Sequence, residues 1–247
     1  MKTLVKAILG VPKRIKLLVW ALTMRVRLAR YGIKFQLEAG RRVTLSRFPT
    51  LEIEGLHQRG GSFRLVLGDH VWIGPSVDFS VKAGVDNVII MGNRTRVNQG
   101  VCFKLSGGTI EMGEDCRMRE FLVLKATGHM FMEDRVSISY FAVIHCEESI
   151  HIGEESGLGE RITVVDSEHI FEGETVSWRN MRIITDPVVL GKHTLLLTNS
   201  VILMGARLGP GCVVGAQAVV KGGDYPASQL LAGTPAKSLR TLHPEPE

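Results

Sequence analysis

The segment Leu190–Val220, LGKHTLLLTNSVILMGARLGPGCVVGAQAVV, returns an aliphatic residue at every sixth position: Leu190, Leu196, Ile202, Leu208, Val214 and Val220. A helix repeats every 3.6 residues and a strand every two, so neither alone keeps that beat. The beat extends far upstream, through Leu67, Ile73 and Phe79, then Met91, Val97 and Phe103, then Met112, Met118 and Leu124. Met132, Ile138 and Ile144 follow, then Ile152, Leu158 and Val164. Glycine often comes directly after the aliphatic residue, as at Gly68, Gly92, Gly153 and Gly209, and a small or branched residue comes four after it, as at Val71, Thr95, Cys116 and Ala206.

Six residues suffice for one short strand and one corner. Three such elements close a triangular coil of about 18 residues, and stacked coils pair their strands in parallel and bury the recurring aliphatics. The second inward position lies near a corner with room only for a small side chain. The glycines are expected to supply backbone angles that cost other residues energy. Successive sets begin at Met91, Met112, Met132 and Ile152, so each coil carries a few extra residues, placed at equivalent corners near Gly107-Gly108, Thr127-Gly128 and Glu147-Glu148. The pattern predicts an all-β chain, a triangular parallel prism over residues 43–240, preceded by a helical segment (1–42) and followed by a short tail (241–247).

Composition agrees. Aromatics make up only 6% of the 247 residues beside 27 glycines, which suits a glycine-punctuated aliphatic core. The four cysteines (Cys102, Cys116, Cys146, Cys212) form no C-x-x-C pair, which reads as reduced thiols in a cytoplasmic protein. Residues 1–37 hold nine Lys/Arg and no Asp or Glu, so the net charge of +5 arises there. The apolar centre of that segment, IKLLVWALTM, is shorter than the roughly 20 residues a bilayer span needs, and no clean signal-peptide cleavage site follows. A basic helix with Leu17, Leu18, Trp20, Leu22 and Leu28 fits either an anionic membrane surface or a packed position on the protein. No recognition motif for nucleic acid is present.

Leu190 follows Val164 by 26 positions where six would serve. About 20 residues, near 165–188, therefore leave the prism as a loop, and a long loop on a regular frame is a natural place for chemistry.

On the hexad, on VVDSEH (Val164–His169) at the loop's opening and on VVKGGDYPASQLLAGTPAKSLR (Val219–Arg240), the chain resembles the hexapeptide-repeat acyltransferases of the left-handed parallel β-helix fold, in particular the sugar and polysaccharide O-acetyltransferases. The resemblance implies transfer of an acetyl group from acetyl-CoA to a glycan hydroxyl, a homotrimer with active sites between subunits, and no metal. VVDSEH is similar to the family's D-x-x-H stretch, which makes His169 the candidate general base, with Asp166 or Glu168 to orient it. A hydroxyl is a poor nucleophile while protonated; an imidazole removes its proton during attack and returns it to the departing thiolate. A corner N–H would receive the oxyanion. His145 is the rival base and an acceptor-contact candidate, one coil before the loop. His70, His129, His151 and His193 read as solvated corner residues.

The resemblance places the CoA arm along Thr198, Ala216 and Lys221, and its phosphates near Lys237 and Arg240, where charge-assisted bonds make cations useful. Trp178, Arg179 and Asn180 are acceptor candidates, since an indole can stack on a sugar face. The loop has serine and glutamate between Asp166 and His169 where many relatives carry an H-x-H variant, and Val220 stands where threonine is common. Two other classes use the same prism. A zinc-dependent γ-type carbonic anhydrase would need three histidines and carries an early R-G-D stretch that is missing here; a non-catalytic scaffold predicts no thioester turnover. The acyltransferase accounts for more of the chain than either.

Overall fold

The computed structural model describes residues 13–170, 177 and 181–242. Three parallel sheets form the faces of a triangular prism. The first face runs from Lys34–Ala39 to Gly223–Tyr225, the second from Thr44–Leu45 to Gln229–Gly233, and the third from Thr50–Glu54 to Val219–Val220. Ala236–Thr241 folds back antiparallel on Gln229–Gly233 and closes the second face.

The hexad sets stack as their spacing requires. Met91 pairs with Met112, Met112 with Met132, Met132 with Ile152, Ile152 with Leu190, and Leu190 with Leu208. Every hexad aliphatic named above is buried, and so are the small residues four positions later, Thr194, Ser200 and Ala206 among them. The prism starts at Lys34 rather than at 43, because Lys34–Ala39 already pairs in register with Ser62–Leu67. The hexad does not disclose this, since the first coils are longer and less regular.

The glycines after the inward aliphatics do a different job from the one expected. Positive φ falls two residues later, on His70 (62°), Arg94 (60°), Glu155 (56°) and Gln217 (61°), all of them non-glycine. The glycines themselves mark where neighbouring coils touch. A Cβ on Gly92 would stand 2.4 Å from the carbonyl of Gly113, and one on Gly153 would stand 2.5 Å from the Lys192 nitrogen. Close stacking of backbone on backbone, not conformational freedom, excludes a side chain there.

Helix α1 (Lys13–Ala29) closes the first end of the prism. Trp20, Met24 and Leu28, four residues apart, are buried along one stripe. The Trp20 ring lies 6.2 Å from Phe35 and 6.0 Å from Phe79, and its Nε1–H donates to the Pro49 carbonyl at 3.0 Å. Phe79 in turn stacks on Phe103 at 5.4 Å, so the scarce aromatics gather under the helix while the later coils are aliphatic. The opposite side of α1 exposes Ile15, Leu18, Val19, Leu22 and Val26. No described helix is long and apolar enough to cross a membrane.

Candidate active site

Outward positions on the third face form a continuous row. Lys104, Lys125, His145 and Val165 sit side by side on adjacent strands. Pairing of Val164 with Ile202 and of Ile202 with Val220 carries the row on to Leu203 and Lys221. Two candidates far apart in sequence, His145 and Lys221, thus share one row.

His145 is half-buried, and its Nε2 lies 2.6 Å from Glu147 Oε1. Lys125 Nζ approaches the same oxygen at 3.6 Å. Burial pushes the Glu147 carboxyl up, but hydrogen bonds from His145 and Thr127 and the charges of His145 and Lys125 outweigh it and hold the group below the ordinary glutamate value. Glu147 is therefore an anion at neutral pH. An anionic acceptor makes Nε2 the N–H donor, so in the neutral ring Nδ1 keeps the lone pair. The arrangement is that of an oriented base. Glu147 and Lys125 were not singled out from sequence. Their signal was present all the same, since Lys125 and His145 occupy equivalent places in consecutive hexad sets and Glu147 is two residues beyond, at the corner.

The inserted segment leaves at that same corner. Ser167–His169 pairs antiparallel with Ile183–Thr185, with His169 opposite Ile183, so the root of the loop is a two-stranded arm. Ile170 N–H donates to the Arg182 carbonyl at 2.9 Å and extends it. His169 is exposed on this arm. Asp166 points the other way. It is fully buried, and its carboxylate accepts the backbone N–H groups of Glu147, Glu148 and Ser149 at 2.7, 2.8 and 2.8 Å. Among the described residues it makes no hydrogen bond to His169, and neither does Glu168. Thr185, on the returning strand, bonds Glu148 and ties the arm to the corner below. The arm carrying His169 and the His145–Glu147 pair are therefore rooted together. Trp178, Arg179 and Asn180 lie outside the described residues.

No family model matches the chain. WbbJ of Escherichia coli K12, described as a lipopolysaccharide biosynthesis O-acetyl transferase, is 30% identical over 159 residues, covering 61% of this chain and 81% of that protein. The chain belongs to the hexapeptide-repeat sugar acyltransferases. A dTDP-4-amino-4,6-dideoxy-D-glucose acyltransferase of Escherichia coli is 28% identical over 138 residues, 53% of this chain and 70% of that one. Among solved structures, a hexapeptide-repeat acetyltransferase of Vibrio cholerae in complex with acetyl coenzyme A aligns at 24% identity and a TM-score of 0.48, over 53% of this chain and 70% of that one.

The remaining candidate residues fall on the last coils. Gln217 N–H donates to the Thr198 carbonyl at 3.0 Å, which stacks the coil of Ala216 directly on that of Thr198. The Thr198 hydroxyl donates to Glu160 Oε2 at 2.8 Å, and Ser139 Oγ lies 3.1 Å from Oε1. These bonds, that of Thr198 foremost, hold the Glu160 carboxyl below its ordinary value. Ala216 and Lys221 are exposed, as are Lys237 and Arg240 on the closing antiparallel strand, opposite Ala232 and Leu230. The histidines read as corner residues divide. His70 and His193 do occupy corners, with His193 Nδ1 3.2 Å from Glu155, whereas His151 lies on the first face, its Nε2 3.0 Å from Glu133. His129 begins a strand of that face. Among the described residues no three His, Cys, Asp or Glu side chains gather as metal ligands. The four cysteines are unpaired; burial pushes the Cys116 thiol up to about 11 and the Cys146 thiol higher, so both are core residues rather than nucleophiles.

Proposed function

We propose that this acyltransferase moves an acetyl group from acetyl-CoA to a hydroxyl of a sugar within a cell-surface or exported glycan, with His169 as general base. The base takes the hydroxyl proton as oxygen attacks the thioester carbonyl; the carbon–sulfur bond then breaks and the proton passes to the CoA thiolate. The observation that carries the proposal is the common root of the arm and the His145–Glu147 pair: the strand that leads to His169 leaves the otherwise regular frame at the corner that holds that imidazole and its anion. In this assignment His145 contacts the acceptor and Asp166 shapes the corner on which the arm stands. Thr198, Ala216 and Lys221 line the path of the CoA arm, and Lys237 and Arg240 meet its phosphates. Likeness to a lipopolysaccharide O-acetyl transferase supports a glycan acceptor.

A second assignment exchanges the two histidines. It is favoured by the 2.6 Å bond to Glu147, which orients His145 as a base should be oriented. Acetyl-CoA cleavage coupled to a panel of sugar acceptors separates the two. We expect His169→Ala to lower kcat by about 10²–10⁴-fold, the usual worth of a general base, and His145→Ala to act mainly on the acceptor KM. The reverse pattern establishes the second assignment. Full activity in both variants refutes the proposal.

A homotrimer is supported by exposed Phe121, Phe141, Val143, Leu195 and Leu197 near the edge of the second and third faces, with Phe121 and Phe141 stacked at 5.3 Å. Contact with the inner face of an anionic membrane is supported by α1, whose exposed stripe of Ile15, Leu18, Val19, Leu22 and Val26 is flanked by Arg25 and Arg30.

A further inference from the structure

The half of the second face nearer α1 carries a cationic array that the acetyl-transfer proposal leaves unused. Arg96 and Arg117 are direct neighbours on adjacent parallel strands, both exposed. Two residues further along the same strands lie Asn98 and Arg119, and these four side chains line one shallow depression. Arg96 is braced over the Trp72 ring, 5.1 Å from its centroid, and Arg119 over Tyr140 at 4.6 Å. Among the described residues neither Arg96 nor Arg117 has a carboxylate partner. Asp115, whose charge Arg117 also feels, is taken by Arg94 through Nε and Nη2. Glu120 accepts from Asn98 at 3.1 Å and pairs with Arg119 at 3.4 Å. Three guanidiniums and one carboxylate leave the array with two uncompensated positive charges.

Like charges directly opposite one another on neighbouring strands repel. Trp72 holds Arg96 in place beside Arg117 despite that, and Tyr140 holds Arg119, which is the preparation expected for an anion that bridges the guanidiniums. One carboxylate is satisfied by the fork of a single guanidinium. Guanidiniums spread over two strands about 4.8 Å apart, and over about 7 Å along the strand of Arg117 and Arg119, match two linked anionic centres carrying about the charge the array lacks. We propose that Arg96, Arg117 and Arg119 bind a diphosphate group, at a site separate from the Lys237 and Arg240 tail. On the sugar-acyltransferase reading this is the diphosphate of an activated or carrier-linked sugar acceptor; the binding itself does not depend on that reading.

Calorimetric titration of inorganic pyrophosphate into the full chain tests it, with R96Q/R117Q beside the wild type and acetyl-CoA titrated into both. Thermal unfolding of the variant checks that it is folded. We expect saturable pyrophosphate binding near one equivalent per subunit, weakened about tenfold or more in R96Q/R117Q because charge-assisted bonds to phosphate are lost, with acetyl-CoA affinity unchanged. Parallel titrations of uridine diphosphate and farnesyl diphosphate then distinguish a nucleotide source from a lipid one. Three outcomes overturn the proposal: no saturation at millimolar pyrophosphate, equal affinity in the two proteins, or a parallel loss of acetyl-CoA affinity, which would make the array part of the donor site. A change of native assembly mass in R96Q/R117Q without pyrophosphate binding does so as well, since the arginines would then hold a second copy of the chain. Absence of acetyl-CoA binding in the wild type, with pyrophosphate binding intact, would sink the transfer reaction and leave the diphosphate site standing.

Discussion

Asp166 stands three residues before His169, the spacing of a base and its orienting acid, yet its carboxylate is committed to the backbone of the preceding coil. Replacing it by alanine removes three charge-assisted hydrogen bonds, to Glu147, Glu148 and Ser149. At about 1.5–3 kcal/mol each the ceiling is roughly 9 kcal/mol. Water can enter the space left by the carboxylate and satisfy part of this corner, since Glu148 is exposed and Glu147 and Ser149 are only partly buried, so we expect a loss of about 3 kcal/mol. For a chain of this size that corresponds to a fall in Tm of roughly 6–12 °C. Asp166→Asn keeps one acceptor oxygen and turns an amide donor toward the N–H groups, and should cost about half as much. Both variants should lose activity through misplacement of the arm, with kcat and KM changing together and the pH profile keeping its position. Urea and thermal unfolding, with acetyl-CoA cleavage followed from pH 5 to 9, supply the measurements. An Asp166→Ala protein as stable as the wild type, with its pH profile displaced, would refute this reasoning and return Asp166 to the role of partner of His169.

Three further outcomes follow from the geometry. Glu147→Gln should remove an acid-dependent part of the stability: a carboxyl held below its ordinary value of 4.5 stabilises the fold above that pH and loses its effect as the pH falls through the depressed folded value. Unfolding curves of wild type and variant should thus be separated at pH 7 and converge in acid; a gap that stays constant contradicts the assignment. Gly92→Ala should destabilise strongly, by about 3 kcal/mol or more, as overpacking against immobile backbone does, while Gln217→Gly, at a φ of 61°, should raise stability by up to about 1 kcal/mol. The opposite signs would restore conformational freedom as the reason for the glycines. Trp20→Ala should cost about 3–5 kcal/mol and expose the first coils to proteolysis; equal protease resistance would show that α1 does not cap the core.

The beat of six in Leu190–Val220 by itself determined the prism, its inward residues and the corner where the chain departs. Each coil repeats one short steric problem, and local sequence states the solution each time. It also marked His145, His169 and Lys221 as chemically apt. Their arrangement was decided only by stacking. Coil lengths of 18, 20, 21 and 38 residues set which side chains become neighbours, so that Lys125, His145 and Lys221 fall into one row while Asp166, adjacent to the loop motif in sequence, turns inward. The meaning of the glycines depended on the same contact between coils: a missing Cβ looks alike in sequence whether it permits a backbone angle or admits another chain segment. The two faces of α1 likewise read as one amphipathic pattern until the prism claimed Trp20, Met24 and Leu28 and left the other side bare. Periodicity is a local property and survives in one dimension. Partnership between residues a coil or more apart arises from packing, and only the tertiary structure holds it.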